Sequence, residues 1–111
     1  MSKGTGLGEF EQLVLLAILA LGPDARASEI RERIEAAARR RVSRGALYAT
    51  LDRLQSKGFL GYTIEDTTPN RGGIPRRRFQ VSARGLTAIR RAVSAVYSLT
   101  RGLDRLLGHA S

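Results

Sequence analysis

The chain has 111 residues and a formal net charge of +9, with 19 Lys+Arg against 10 Asp+Glu, 42 % apolar and 26 % charged residues. This suits one domain with a modest core, and a basic excess of 17 Arg but only 2 Lys favours nucleic acid, because the planar guanidinium pairs bidentately with phosphate. The lack of cysteine and the single histidine, His109, exclude disulfide scaffolds, thiolate nucleophiles, cysteine-ligated zinc, multi-histidine metal sites and hydrolytic triads.

Residues 1–8 (MSKGTGLG) are Gly-rich and polar and read as a flexible arm, with no apolar stretch of the kind a secretion signal carries. From Glu9 onward, Phe10, Leu13, Val14, Ala17, Ile18 and Leu21 recur at spacings of three and four, which predicts a helix closed by Gly22-Pro23. The near-continuous apolar run Leu13–Leu21 predicts that this helix is buried on most sides at the centre of the core. Ser28 is the expected N-cap of a second helix, with Glu29 in its first turn and Ile30, Ile34 and Ala37 or Ala38 inward. It closes in Arg39-Arg40-Arg41, three cations that suit either the negative helix end or a phosphate contact. Ser43 is expected to cap a third helix running to about Lys57 and stopped by Gly58. Leu47, Thr50, Leu51 and Leu54 face inward there, with Gly45, Tyr48, Ala49, Asp52 and Ser56 outward and Arg53 at the edge.

The period then falls to two. Leu60, Tyr62 and Ile64 alternate with smaller residues and predict a strand, residues 65–75 are a turn-rich loop, and Arg76–Ser82 alternates again. The resulting hairpin must lean on the helices, through Phe79 and Val81, since two strands alone are marginal. Ser82 is the expected N-cap of a last helix running to about Leu107, roughly 37 Å long. Along it Leu86, Ile89, Val93, Val96, Thr100, Leu103 and Leu107 hold a heptad seam. A single amphipathic helix docking on its own domain would give the same stripe, but a helix that outruns the small body before it favours a second copy, so Leu86, Ile89, Val93, Val96, Leu103 and Leu107 are assigned to dimerisation. Gly102 weakens the helix and permits a bend.

The expected fold class is mostly α with a small β-hairpin: a winged helix-turn-helix over 9–82 and a C-terminal dimerisation helix over 83–111. In that layout the third helix enters the major groove and the hairpin loop lies against the DNA backbone. Ser43 and Arg44 stand at the positive helix end, where phosphate is favoured. Gly45 permits close approach, and the Tyr48 hydroxyl reaches phosphate or a base edge unless its ring packs across the helix junction. Arg53 completes the helix contacts. In the wing Arg71, Gly72, Gly73 and Arg76 carry the basic signal, either as a minor-groove probe or as a solvated basic loop. Asp52 is awkward beside phosphate: it holds Arg53 or Arg44 in place, or it accepts from a cytosine amine. Between Arg26 and Val42 six basic residues face three acidic ones, whereas Met1–Ala25 is net acidic.

The stretches GEFEQLVLLAILALG (Gly8–Gly22), SRGALYATLDRLQSKGFL (Ser43–Leu60) and RGGIPRRRFQVSARG (Arg71–Gly85) resemble the PadR-like transcriptional regulators, specifically short members with one C-terminal dimerisation helix. The resemblance covers nearly the whole chain after Leu7. It implies a homodimeric DNA-binding repressor with Ser43, Gly45 and Tyr48 in the recognition helix and Gly72, Gly73, Pro75 and Arg76 in the wing. Departures are Ala49, where many relatives have proline, Arg78-Phe79 in place of an aromatic pair, and Ile74 in place of a second arginine. Some relatives sense phenolic or drug-like ligands, but with no Trp and few aromatics a small-molecule effector is unsupported here.

The functional expectation is a sequence-specific transcriptional regulator that reads a near-palindromic operator in double-stranded DNA with recognition helix 43–57 and wing 65–78. Two rivals remain: a less selective nucleic-acid-associated protein, and a winged-helix module that binds an acidic protein. An enzyme is not expected, since proton-transfer groups are scarce. No apolar run reaches the roughly 18–20 residues of a membrane span. A cytoplasmic, nucleoid-associated protein with no cofactor, no metal and no membrane partner is therefore expected.

Overall fold

Glu11 determines how the first helix starts. In the computed structural model, which describes residues 6–65 and 76–108, its carboxylate accepts from the Gly8 N–H at 2.9 Å, the return half of a capping box at the head of α1 (Glu9–Leu21). Val14, Leu15, Ala17 and Ile18 bury one side of α1 in the core. The expectation of burial on most sides does not hold, because Leu16 and Leu19 remain exposed. Nor are the last three residues of the expected arm free: Leu7 packs against the core and its carbonyl accepts from the Gln12 side chain at 3.0 Å.

A 3₁₀ turn, Gly22–Asp24, follows and leads into α2 (Ala27–Ala38). The N-cap of α2 is Arg26 and not Ser28, which sits inside the first turn with its hydroxyl on Glu29. Ile30 and Ile34 are buried, and of the two alanines it is Ala38 that packs on the core. The helix ends at Arg39, a non-glycine residue in the left-handed region at φ 55°, whose N–H donates to the Glu35 carbonyl. The Glu35 side chain then accepts from the Val42 N–H at 2.8 Å and holds the turn into α3 (Arg44–Ser56). Ser43 caps α3 by accepting from the Ala46 N–H at 3.0 Å, and Leu47, Thr50, Leu51 and Leu54 are its buried side.

Strands β1 (Leu60–Glu65) and β2 (Arg76–Val81) pair antiparallel, with Leu60 opposite Val81, Tyr62 opposite Phe79 and Glu65 opposite Arg76. Thus Glu65, read from sequence as the first loop residue, belongs to the strand. Phe79 is buried, its ring 5.9 Å from that of Tyr62, and its N–H donates to the Ala25 carbonyl, tying the hairpin to the entrance of α2. Ser82 caps α4 (Ala83–Thr100) by accepting from the Gly85 N–H, and its hydroxyl donates to the Gly58 carbonyl at 2.7 Å.

The last helix is shorter than expected. It stops at Thr100, where Arg101 turns extended at ψ 131° and Gly102 completes the turn with a φ of +82°, and only a short helix, α5 (Asp104–Leu107), follows. The heptad seam is therefore broken before Leu103 and Leu107. Ile89 also leaves the seam: it is 2 % exposed and belongs to the chain's own core, whereas Val93 is 43 % and Val96 57 % exposed. From Val93 to Leu99 every residue is exposed, so this half of α4 extends beyond the body of the domain.

Candidate nucleic-acid interface

Two arginine-lined clefts adjoin α3, one along its exposed side and one at its start. The first, of about 730 Å³, opens between the start of α2, α3 and β2, and brings Arg26, Arg44, Tyr48, Asp52, Arg76 and Arg77 together. The second, of about 810 Å³, lies at the turn between α2 and α3, lined by Arg31, Arg39, Arg40, Arg41 and Ser43. The three consecutive arginines thus stand beyond the last turn of α2, on the surface that flanks the start of α3. Arg40 is partly engaged, over the Phe10 ring at 5.6 Å and 3.9 Å from Glu9.

The wing root is held by ion pairs. Arg26 donates through Nε to Glu65 at 3.0 Å and through its terminal nitrogen to the other carboxylate oxygen. The Arg78 Nε lies 3.2 Å from the same group, without hydrogen-bond geometry. The hydrogen bond from Arg26 holds the Glu65 carboxyl below its ordinary value, against a smaller upward push from burial, and the Arg78 and Arg76 charges add to the lowering. The same bond raises Arg26. Arg77 stacks on the Tyr62 ring at 4.6 Å and, with Arg76, lines the first cleft.

The chain was also compared with known proteins. No family profile and no curated protein matches it in sequence. Solved structures do match. A PadR-like transcription factor from Bacteroides fragilis superposes with a TM-score of 0.67 at 24 % identity, covering 87 % of this chain and 88 % of that one. This chain has the fold of the PadR-like transcription factors. A PadR family transcriptional regulator from Eggerthella lenta gives 0.64 at 24 % identity over 89 % of this chain and 86 % of that one. A proposed transcriptional regulator from Thermoplasma acidophilum gives 0.65 at 14 % identity over 89 % and 93 %.

Within this PadR-like fold the residues singled out from sequence divide. Ser43, Arg44, Gly45, Tyr48 and Arg76 lie on or beside the exposed side of α3, with Tyr48 45 % exposed and lining clefts shared with the start of α2. Arg53 is turned to the other side: its Nε lies 3.4 Å from Glu11 and its terminal nitrogen donates to the Thr50 hydroxyl at 3.1 Å. Arg71, Gly72 and Gly73 lie outside the described residues. Asp52 makes no ion pair or hydrogen bond among the described residues, so it anchors neither Arg53 nor Arg44.

Two positioning groups escaped the sequence reading. Glu11 is buried and accepts from the Lys57 ammonium at 2.9 and 3.0 Å besides Gly8 and Arg53, so one carboxylate fastens the end of α3 to the start of α1. Burial pushes its carboxyl up, but the hydrogen bonds from Lys57, the Gly8 N–H and Arg53 outweigh it and leave the group below its ordinary value. The Arg26–Glu65 pair is the second; its partners stand 39 residues apart, and no local spacing announces them. Among the described residues no His, Cys, Asp and Glu cluster could hold a metal, and no helix is long and apolar enough to cross a membrane.

Proposed function

We propose that this chain is a sequence-specific DNA-binding transcriptional regulator that acts as a homodimeric repressor on a near-palindromic operator. The reading rests on one observation above others: an exposed α3 in a winged-helix fold, with one arginine-lined cleft along its wing side and a second at the turn that leads into it. α3 enters the major groove, its Ser43-capped start and Arg44 meet one phosphate strand, and the Arg39–Arg41 turn and Arg76 meet the backbone to either side. Gly45 supports close approach. A Cβ there would touch nothing within 4 Å in the chain itself, so its small size serves no internal packing and suits an external surface.

A second copy of the chain is the partner of the exposed apolar side chains. Leu16 and Leu19 on α1, and Leu86, Val93, Val96 and Tyr97 on α4, are too many to leave in water on one small domain. Pairing through them sets two α3 helices on a two-fold axis, which matches half-sites about one helical turn apart, roughly 34–36 Å.

Footprinting on the DNA flanking the protein's own gene tests the reading. Protection of one inverted repeat supports it. Uniform weak protection of any duplex refutes it in favour of a less selective nucleic-acid-binding protein, and absence of binding points to an acidic protein partner instead.

A further inference from the structure

We propose that Asp52 determines sequence specificity by reading cytosine, its carboxylate accepting a hydrogen bond from the N4 amine in the major groove. The inference rests on the DNA-binding reading above. At about 100° per residue, the buried residues Leu47, Thr50, Leu51 and Leu54 define one direction of α3, and Asp52 lies within about 30° of the opposite one. Gly45, Ala49 and Ser56 share that crest, so Asp52 is its longest side chain and its one charge. Arg44 and Tyr48 flank the crest on the wing side, and Arg53 flanks it on the other.

The carboxylate is not used within the chain. Arg53 is engaged by Glu11 and Thr50, and Arg44, which lines the same cleft as Asp52, makes no ion pair or hydrogen bond with it, so Asp52 has no partner of its own among the described residues. An unpaired carboxylate on the crest of a helix that faces a polyanion is unfavourable unless a donor meets it. The major groove presents two amino donors. On adenine the amine stands beside the N7 acceptor, a pair that suits the donor–acceptor amide of asparagine. On cytosine the amine stands without an adjacent acceptor on its own base, which suits a carboxylate that only accepts.

The test is selection from a random duplex library with the intact protein, the D52A variant and the D52N variant. The wild-type protein is expected to enrich an inverted repeat with one cytosine in each half-site, favoured roughly 5- to 150-fold over other bases. D52A is expected to flatten that position while leaving the rest of the repeat unchanged, and D52N to switch it to adenine. If D52A selects the same repeat and merely binds every sequence more tightly, the carboxylate acts only by repelling phosphate and the assignment of Asp52 fails. A flattened position that prefers a base other than cytosine in the wild type overturns the cytosine reading. A wild-type library without any enriched sequence overturns the regulator reading itself, a result distinct from the other two.

Discussion

Replacing Gly85 by alanine places one methyl group where α4 rests on backbone. The added Cβ would stand 2.0 Å from the Phe59 carbonyl oxygen and 2.9 Å from both the Phe59 carbonyl carbon and Val81 Cγ1. Ordinary contact begins at 3.4 Å, so the start of α4 must lift by more than 1 Å. That movement strains two anchors of the same corner, the Ser82 hydroxyl on the Gly58 carbonyl at 2.7 Å and the Ser82 N–H on the Phe59 carbonyl at 3.0 Å. It also loosens Ile89, one turn further along and fully buried. Overpacking costs about 1–3 kcal/mol, and two weakened hydrogen bonds add about 1 kcal/mol each. Alanine returns about 1 kcal/mol through helix propensity. The net loss expected for G85A is about 3 kcal/mol. Urea unfolding followed by far-ultraviolet circular dichroism, at one fixed protomer concentration, reads this as a fall of about 1–3 M in midpoint. A variant within 1 kcal/mol of wild type would refute the account of this contact.

Four further outcomes follow from the same structure. E11Q keeps a side chain that can accept from Gly8 but removes the charge that holds Lys57, and should cost about 2 kcal/mol at neutral pH. Because the folded Glu11 carboxyl lies below its ordinary value of 4.5, its contribution is complete above that value and is lost as pH falls through the lowered one. The gap between wild type and E11Q should therefore close in acid; a gap constant from pH 7 to pH 3 would contradict the ion pair. I89E should unfold the domain, whereas V93E/V96E should keep the wild-type circular dichroism and sediment as a monomer; a V93E/V96E dimer would displace the interface from α4. G45A should gain about 0.5–1 kcal/mol of stability yet bind its operator several-fold more weakly, and unchanged affinity would remove the close approach at this position. R76A should weaken binding to all duplexes alike and flatten the salt dependence by about one unit of slope, and an unaltered slope would take Arg76 off phosphate.

The helices were legible where their signals are local. Ser43 and Ser82 cap as read, because an N-cap serine and the N–H it serves are three residues apart and need nothing else. The inward arc of α3 follows from the 3.6-residue period for the same reason. The start of α2 was misplaced by two residues, since Arg26 carries no capping side chain that marks the boundary. Glu11 was unread because its partner at the helix start is Gly8, which lacks the hydroxyl that makes a capping box visible. Periodicity left Arg53 at the edge of the outward face, and only the fold brought Glu11 within its reach.

What the sequence by itself determined is the order of the main elements, the faces that α2 and α3 turn inward, and the abundance of arginine on the later segments. What only the tertiary structure decided is which surface meets each face. The stripe along the last helix shows this most plainly. Gly85 is sealed against Phe59 and Val81 and Ile89 in the core of the same chain, whereas Val93 and Val96, further along the stripe, stand exposed. A hydrophobic period states that a face seeks cover. It does not state where the chain's own supply of cover ends, because that depends on contacts between segments far apart in sequence. The turn at Arg101-Gly102 then ends the helix before the stripe is complete, a backbone choice that no side-chain period encodes.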